Sequence, residues 1–435
     1  MDIINNFVKA NFKGKSVMEI GFLVTIFLVV FTLPFDTRIT NFLAIVLTIF
    51  SIINAKNFVK LSKETKIFII LSVTYFCLYL IGLIYTSSLN EGIKLIETKL
   101  GILLFLFVFT LCYKNQKQTF HSLLQIYIIG TSIVLVVCVI SAFWSNYLFN
   151  NLEELKTSYF SNHRLGAVFG LHASYISLHI ILSIFSAMWL SLYEKVLQQK
   201  HALILTFVFS LFLLLFSARM EIISFLILSA CTGIFYIVKG YVSKKWVTLT
   251  ILILGISSIF LLSNSYFSDR FKQVFTIDTN SLIGTSNENG VTQRVFIWKK
   301  AINLIKEKPL IGYGLGDGQK ELTKIYDLQI QNTDSSEVAI ITALNGFKKV
   351  NFNAHCQYLE VTLSLGFIGL LSLLSLFFYP FYLAWTKKEP FYMLFIVFFA
   401  MCCLTESMLN RQSGVFFFSI FNSLFFVYFI NKSKD

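Results

Sequence analysis

Charged residues are scarce in this sequence. They make up 14% of its 435 residues, where a soluble domain carries about 25%. With 56% hydrophobic residues, 48 phenylalanines and only 4 prolines, too few polar side chains remain to cover a water-facing surface of this size. The chain therefore reads as a membrane protein, which excludes the soluble enzyme folds. Its net charge of +13 is a topology signal before it is a nucleic-acid signal, and no nucleic-acid partner is expected. The cysteines lack a pattern too. Cys77, Cys112, Cys138, Cys231, Cys356, Cys402 and Cys403 fall mostly inside apolar runs, with neither zinc-ligand spacing nor a paired extracellular framework, and read as small core residues.

What is abundant is apolar sequence in long runs. A spanning helix needs about 20 mainly apolar residues. Twelve such runs lie between charge clusters, near 17–34, 39–54, 66–86, 93–113, 120–145, 165–193, 202–218, 220–238, 246–263, 356–385, 390–409 and 412–430. The first follows a basic leader (Lys9, Lys13, Lys15) without a small-residue cleavage site, so it reads as an uncleaved helix and not as a signal peptide. The expected fold class is all-α: a polytopic membrane helix bundle of about 12 transmembrane helices, divided into spans one to nine (1–263), one large external, periplasmic helical loop (264–354) and spans ten to twelve (355–435).

Orientation follows from lysine. With both termini cytoplasmic, Lys9, Lys13, Lys15, Lys56, Lys60, Lys63, Lys66, Lys114, Lys117, Lys195, Lys200, Lys239, Lys244, Lys245, Lys387, Lys388, Lys432 and Lys434 all lie inside, as the positive-inside rule requires. Arginine is rare and behaves oppositely. All six (Arg38, Arg164, Arg219, Arg270, Arg294, Arg411) fall outside. Arginine offers a planar fork of donors that grips phosphate oxygens in pairs, so an external anionic ligand is one reading of this bias; scattered surface charge is the other.

The large loop carries its own helical signals. Thr292 is placed to cap a helix through 308 with apolar positions Val295, Phe296, Trp298, Ile302 and Ile305, and Pro309 stands just past its end. Gly312-Tyr313-Gly314-Leu315-Gly316-Asp317-Gly318 evokes a phosphate-binding glycine loop, but without a parallel-strand context it reads as a turn into a second surface helix near 317–329.

Several polar residues gather at the external face. Arg219 sits in a tight turn between two spans, where an intramembrane charge is costly unless paired or solvated; it is either functional, an interfacial anchor, or a local partner of Glu221. His355 ends the large loop and opens the tenth span, where a neutral imidazole can take a proton from a hydroxyl or simply cap the helix. Glu360 lies further down that helix. Glu406 and Arg411 close the external side between spans eleven and twelve, five residues apart and so poorly spaced for a helical pair. His172 and Tyr175 lie one turn apart in the sixth span, placed to orient a substrate or to hydrogen-bond within the bundle.

Taken together, three segments resemble the O-antigen ligase and polymerase superfamily. They are Ser217-Ala218-Arg219 opening a span; Arg294 to Trp298 running on to Lys308-Pro309-Leu310-Ile311-Gly312-Tyr313-Gly314-Leu315-Gly316; and His355, Tyr358, Leu359 leading to Leu365-Gly366 and Gly369-Leu370. The stretch Thr405 to Phe417, with Glu406, Arg411 and Gly414, resembles the family's late span. The likeness is strongest over residues 210–425. The resemblance implies a glycosyltransferase of the bacterial inner membrane, facing the periplasm, that needs no metal or other cofactor. Its donor would be a glycan on undecaprenyl diphosphate; in the ligase branch the acceptor is the lipid A–core oligosaccharide of lipopolysaccharide, and membrane lipid surrounds both. By the same resemblance Arg219 and Arg294 bind the diphosphate, His355 acts as base on the acceptor hydroxyl, and in-line attack inverts the anomeric centre; Glu406, Arg411, Tyr358, His172 and Tyr175 are further site candidates. The family's usual Asn after the His is Cys356 here, with Asn353 or Gln357 placed to orient the imidazole instead. A polymerase or a protein O-oligosaccharyltransferase of the same superfamily is the alternative. A polysaccharide or lipid flippase, or another transporter, is less favoured, because no repeat relates the halves and the polar residues gather at one face.

Overall fold

The computed structural model describes residues 8, 11–35, 37–54, 61–114, 116–150, 157–238, 255, 290–332 and 353–431. Every regular element among them is helical. In chain order these are α1 (Val17–Thr32), α2 (Thr37–Ile53), α3 (Lys63–Ile84), α4 (Leu89–Phe107), α5 (Lys117–Asn150), α6 (Ala173–Leu192), α7 (Gln199–Phe216), α8 (Arg219–Val238), α9 (Gly290–Glu307), α10 (Asp317–Gln331), α11 (Gln357–Thr386), α12 (Pro390–Cys402) and α13 (Gln412–Phe425). Wider helical turns extend α4 through Val108–Cys112 and α13 through Phe426–Ile430.

Among the described residues seven helices are long and apolar enough to cross a membrane: α3, α4, α5, α6, α7, α11 and α13; α1, α2 and α12 are shorter apolar helices. The chain is thus a multi-pass helical membrane protein. The expected ninth span, 246–263, lies outside the described residues apart from Gly255, as do 264–289 and 333–352 of the expected loop. Three local expectations need correction. The sixth span begins at Ala173 and not at 165, because left-handed Gly170 (φ 63°) ends the preceding short turns. The eleventh stops at Cys402, and 403–411 is a turn-rich segment. Thr292 lies inside α9, which starts at Gly290, so it is not the cap.

Helix starts follow local chemistry. Ser16 and Glu19 form a reciprocal capping box at α1, the Ser62 hydroxyl accepts the Thr65 N–H at 3.1 Å to open α3, and Pro390 opens α12, where a missing N–H costs nothing. Packing explains the phenylalanines. The spans of α13 and α6 are 94% and 89% buried, against 33–56% for the other spans, so these two are the inner helices. Lipid tails are as apolar as Phe, so helices associate by dispersion and close ring packing instead of water exclusion. Phe120 stacks on Tyr428 with centroids 3.6 Å apart and Phe68 on Phe426 at 4.1 Å, while Phe395 meets Phe425 edge-on at 5.1 Å. Buried polar clasps add register, with the Tyr392 hydroxyl donating to Asn422 Oδ1 at 2.7 Å and Tyr127 sharing a hydrogen bond with His179 Nδ1 at 2.9 Å.

The two ends of the bundle differ. At one end Lys15 reaches Gln116 at 3.0 Å, Lys114 pairs with Glu19 at 3.0 Å, and Lys117 and His121 share Glu194 at 2.6 and 3.3 Å. The opposite end gathers the turns 85–88, 161–172, 217–219, 353–356 and 403–411. It is also where α9 and α10 sit.

α9 and α10 pack on each other and on the first turns of α11 through Phe296, Ile297, Ala301, Leu304, Leu322, Tyr326 and Leu363. The expected stripe shares Phe296 and Ile305 with this face, but Ile302 is 42% exposed, because α10 and α11 approach from a side that helical periodicity alone does not specify. The glycine-rich segment between α9 and α10 enters the bundle. α11 is broken at Gly366 (φ 65°, ψ −166°), a conformation essentially reserved for glycine. The break exposes backbone groups that the segment satisfies. Tyr313 and Gly314 N–H donate to the carbonyls of Leu363 and Ser364, both at 2.9 Å, and Phe367 N–H donates to Pro309 O at 2.8 Å. Asp317 then locks the segment to the α3–α4 turn, accepting from the Ser87 N–H at 2.6 Å and the Ser87 hydroxyl at 2.8 Å. The glycines therefore serve backbone docking.

Candidate functional site

His355 stands between the large loop and α11 with a left-handed backbone (φ 44°), a conformation a non-glycine residue keeps only when its surroundings enforce it. Three bonds do so. Its N–H donates to Asn353 Oδ1 at 2.9 Å, the preceding Ala354 N–H donates to Glu360 Oε2 at 2.9 Å, and the Ala354 carbonyl accepts from the Trp298 indole at 2.9 Å. Glu360 is thus a backbone support, and Trp298 joins α9 to the same pedestal.

The turn 403–411 faces this pedestal. Gln357 binds it twice, its N–H donating to Cys403 O at 2.9 Å and its Oε1 accepting from Leu409 N–H at 2.7 Å. The turn presents Glu406, whose Oε2 lies 3.3 Å from His355 Nδ1 and 3.8 Å from Arg294 Nη2 on α9. The Glu406 side chain is 8% exposed, against 19% for His355 and 30% for Arg294. A buried carboxylate thus backs an accessible imidazole and guanidinium. Burial pushes the Glu406 carboxyl up, but the His355 hydrogen bond and the charges of His355 and Arg294 outweigh it and hold the group at about 2. An ionised carboxylate only accepts, so His355 Nδ1 carries the proton and the basic lone pair is on Nε2.

The remaining candidates fall around this core. His172 caps α6, accepting the Ser174 N–H at 3.4 Å, with its ring 3.9 Å from that of His163. Burial, then the charges of His163, Arg411 and Arg294, bring it down to about 3 despite Glu406, so it is neutral. Tyr175 is buried one turn on, and the Arg411 guanidinium lies 6.0 Å from its ring centre. Arg219 is half-buried at the first residue of α8, at the same end; two residues on, buried Glu221 interacts electrostatically with Glu406 and Arg294. Tyr358 is otherwise engaged, its hydroxyl donating to Ala400 O on α12 at 2.8 Å. The imidazole is oriented by Glu406; Asn353 and Gln357, the expected substitutes for the missing Asn, bind backbone instead.

One residue escaped the sequence reading. Lys99, fully buried in α4, donates to the Leu409 carbonyl and faces Asn410 Oδ1 at 3.4 Å, so it grips the turn that carries Glu406. A lysine inside an apolar run was the signal available, since such a residue is costly without a purpose.

These features define a multi-pass helical membrane protein with a charged cluster of His355, Glu406 and Arg294 at one end of its bundle. A family model described as O-antigen ligase matches residues 202–374, so that stretch is similar to this family. The matched stretch holds Arg219, Arg294, the docked glycine segment and His355, while Glu406 and Arg411 lie beyond it. No curated protein matches the chain.

Proposed function

We propose that this protein is an O-antigen ligase of the inner membrane, transferring a glycan from undecaprenyl diphosphate to a hydroxyl of the lipid A–core oligosaccharide at the periplasmic face. The observation that carries this reading is the contact of Glu406 Oε2 with both His355 Nδ1 and Arg294 Nη2, at 3.3 and 3.8 Å. His355 Nε2 takes the proton of the acceptor hydroxyl as its oxygen bonds to the anomeric carbon. The bond from that carbon to the diphosphate breaks, and the carbon is attacked from the face opposite the leaving group, so it inverts. The imidazolium so formed is stabilised by Glu406, as a carboxylate stabilises the histidine of a catalytic triad. The departing diphosphate gathers charge, which Arg294 and Arg219 meet with forked donors in a partly desolvated site. Arg411, above Tyr175, adds positive charge nearby.

The test is His355→Ala in membranes supplied with a labelled lipid-diphosphate glycan. The expected transfer rate is about 100-fold or more below wild type, the range of general-base catalysis; transfer at the wild-type rate overturns the base assignment. The acceptor separates a ligase from a polymerase of the same superfamily. Polymer left on its lipid carrier in a deletion strain supports the ligase, and a core capped by one repeat supports the polymerase.

A further inference from the structure

The His355–Glu406 contact joins residues 51 apart in sequence, on two segments that are each short and irregular. Their alignment to hydrogen-bond distance needs a cause. Lys99 supplies one end of it. Its ammonium donates to the Leu409 carbonyl, faces Asn410 Oδ1 at 3.4 Å and lies 5.1 Å from the Tyr79 ring centre. The Asn410 side chain also bonds the Glu360 carboxylate, and Glu360 Oε2 accepts the Ala354 N–H at 2.9 Å. A side-chain amide has one accepting and one donating end, so Asn410 turns its oxygen to Lys99 and its NH2 to Glu360. Lys99 and Glu360 are both buried. Polar ends bridged by one amide at such depth hold a fixed geometry, because breaking either bond would leave a buried polar group unsatisfied.

We propose that Lys99, Asn410 and Glu360 form one buried positioning network that sets the His355–Glu406 contact from beneath. Ala354 immediately precedes His355, and Leu409 and Asn410 follow Glu406 within the same turn, so both halves of the contact hang from the same three side chains. The proposal rests on the reading of His355 as the base. Its mark is a kcat that falls while donor KM holds, together with a change in the pH profile of kcat. The titratable and charged groups around His355 are Glu406, Arg294 and Glu360, with His172 and Arg411 at the same site.

The experiment uses full-length protein in lipid nanodiscs with a fluorescent undecaprenyl-diphosphate oligosaccharide, and records kcat and donor KM across pH. The variants are Lys99→Met, Asn410→Ala, Lys99→Met with Glu360→Gln, and His355→Gln. Asn410→Ala and Lys99→Met are expected to lower kcat about tenfold or more, to leave donor KM within about threefold, and to move the acid limb of kcat to lower pH. The double variant leaves no buried charge unpaired; it should accumulate where Lys99→Met is poorly tolerated, and show the same displaced limb. An unmoved limb in Asn410→Ala and the double variant overturns the proposal, and so does failure of all three to fold, which would make the network a folding element only. Inactive His355→Gln beside unmoved limbs overturns the network alone. Active His355→Gln with the wild-type limb overturns the base reading and the network with it.

Discussion

Glu406 is the residue on which the others converge. Held at about 2 against an ordinary 4.5, it stays a carboxylate at neutral and mildly acidic pH. Its stabilising contribution has a definite sign. A carboxyl depressed in the folded state stabilises fully above its unfolded value and loses that contribution as pH falls from about 4.5 towards 2. Glu406→Gln should therefore flatten the loss of thermal stability in that acid window, and should lower kcat by about tenfold or more while moving the acid limb of activity to lower pH. Melting curves and rate profiles in detergent check both; an unchanged acid limb would separate Glu406 from the base. At this scale the sequence named His355 and Glu406 because polar groups at the ends of apolar runs stand out, and Arg294 through the family resemblance. It did not pair them. It also offered Tyr358, whose hydroxyl is committed to Ala400, and passed over Lys99 among so many lysines.

Among elements, the break in α11 decides where α9 and α10 sit. The Gly366 Cα faces the Leu310 carbonyl so closely that a methyl group would collide with it, and Gly312 (φ 69°) opposes it, with Ser364 backbone 2.6 Å from where its own Cβ would lie. Gly366→Ala thus combines a glycine-only conformation with a backbone collision. Its expected cost is about 1–3 kcal/mol or more, read as a lowered melting temperature, with weaker transfer activity because Arg294 rides on the element this dock anchors. Wild-type stability and activity would show that the dock is dispensable. The helices themselves were legible, since apolar runs between charge clusters mark spans directly. Their ends were less so: α6 and α12 are shorter than their apolar runs, because Gly170 ends one approach and the 403–411 turn is shaped by bonds to α11.

At the scale of the whole molecule, Arg219, Arg294 and Arg411 gather at one end, which they share with Lys99 and Lys324, while a lysine-only set marks the other. There Lys15, Lys114 and Lys117 meet one another's neighbours. If the lysine end is cytoplasmic, a cysteine placed at exposed Lys324 on α10 will react with a membrane-impermeant maleimide added outside spheroplasts. One placed at exposed Lys195 will react only after permeabilisation. The reverse pattern would invert the topology and remove the periplasmic reading.

The opening scarcity of charge was enough to determine a membrane protein, its helical class, its apolar segments and the end at which rare arginines collect, because transfer of a segment into lipid depends on that segment's own residues. Tertiary structure alone decided which polar groups meet. The bond from Lys99 to Leu409 spans 310 positions and that from His355 to Glu406 spans 51; each depends on how separate helices pack, and no local pattern of apolar and polar residues contains that information.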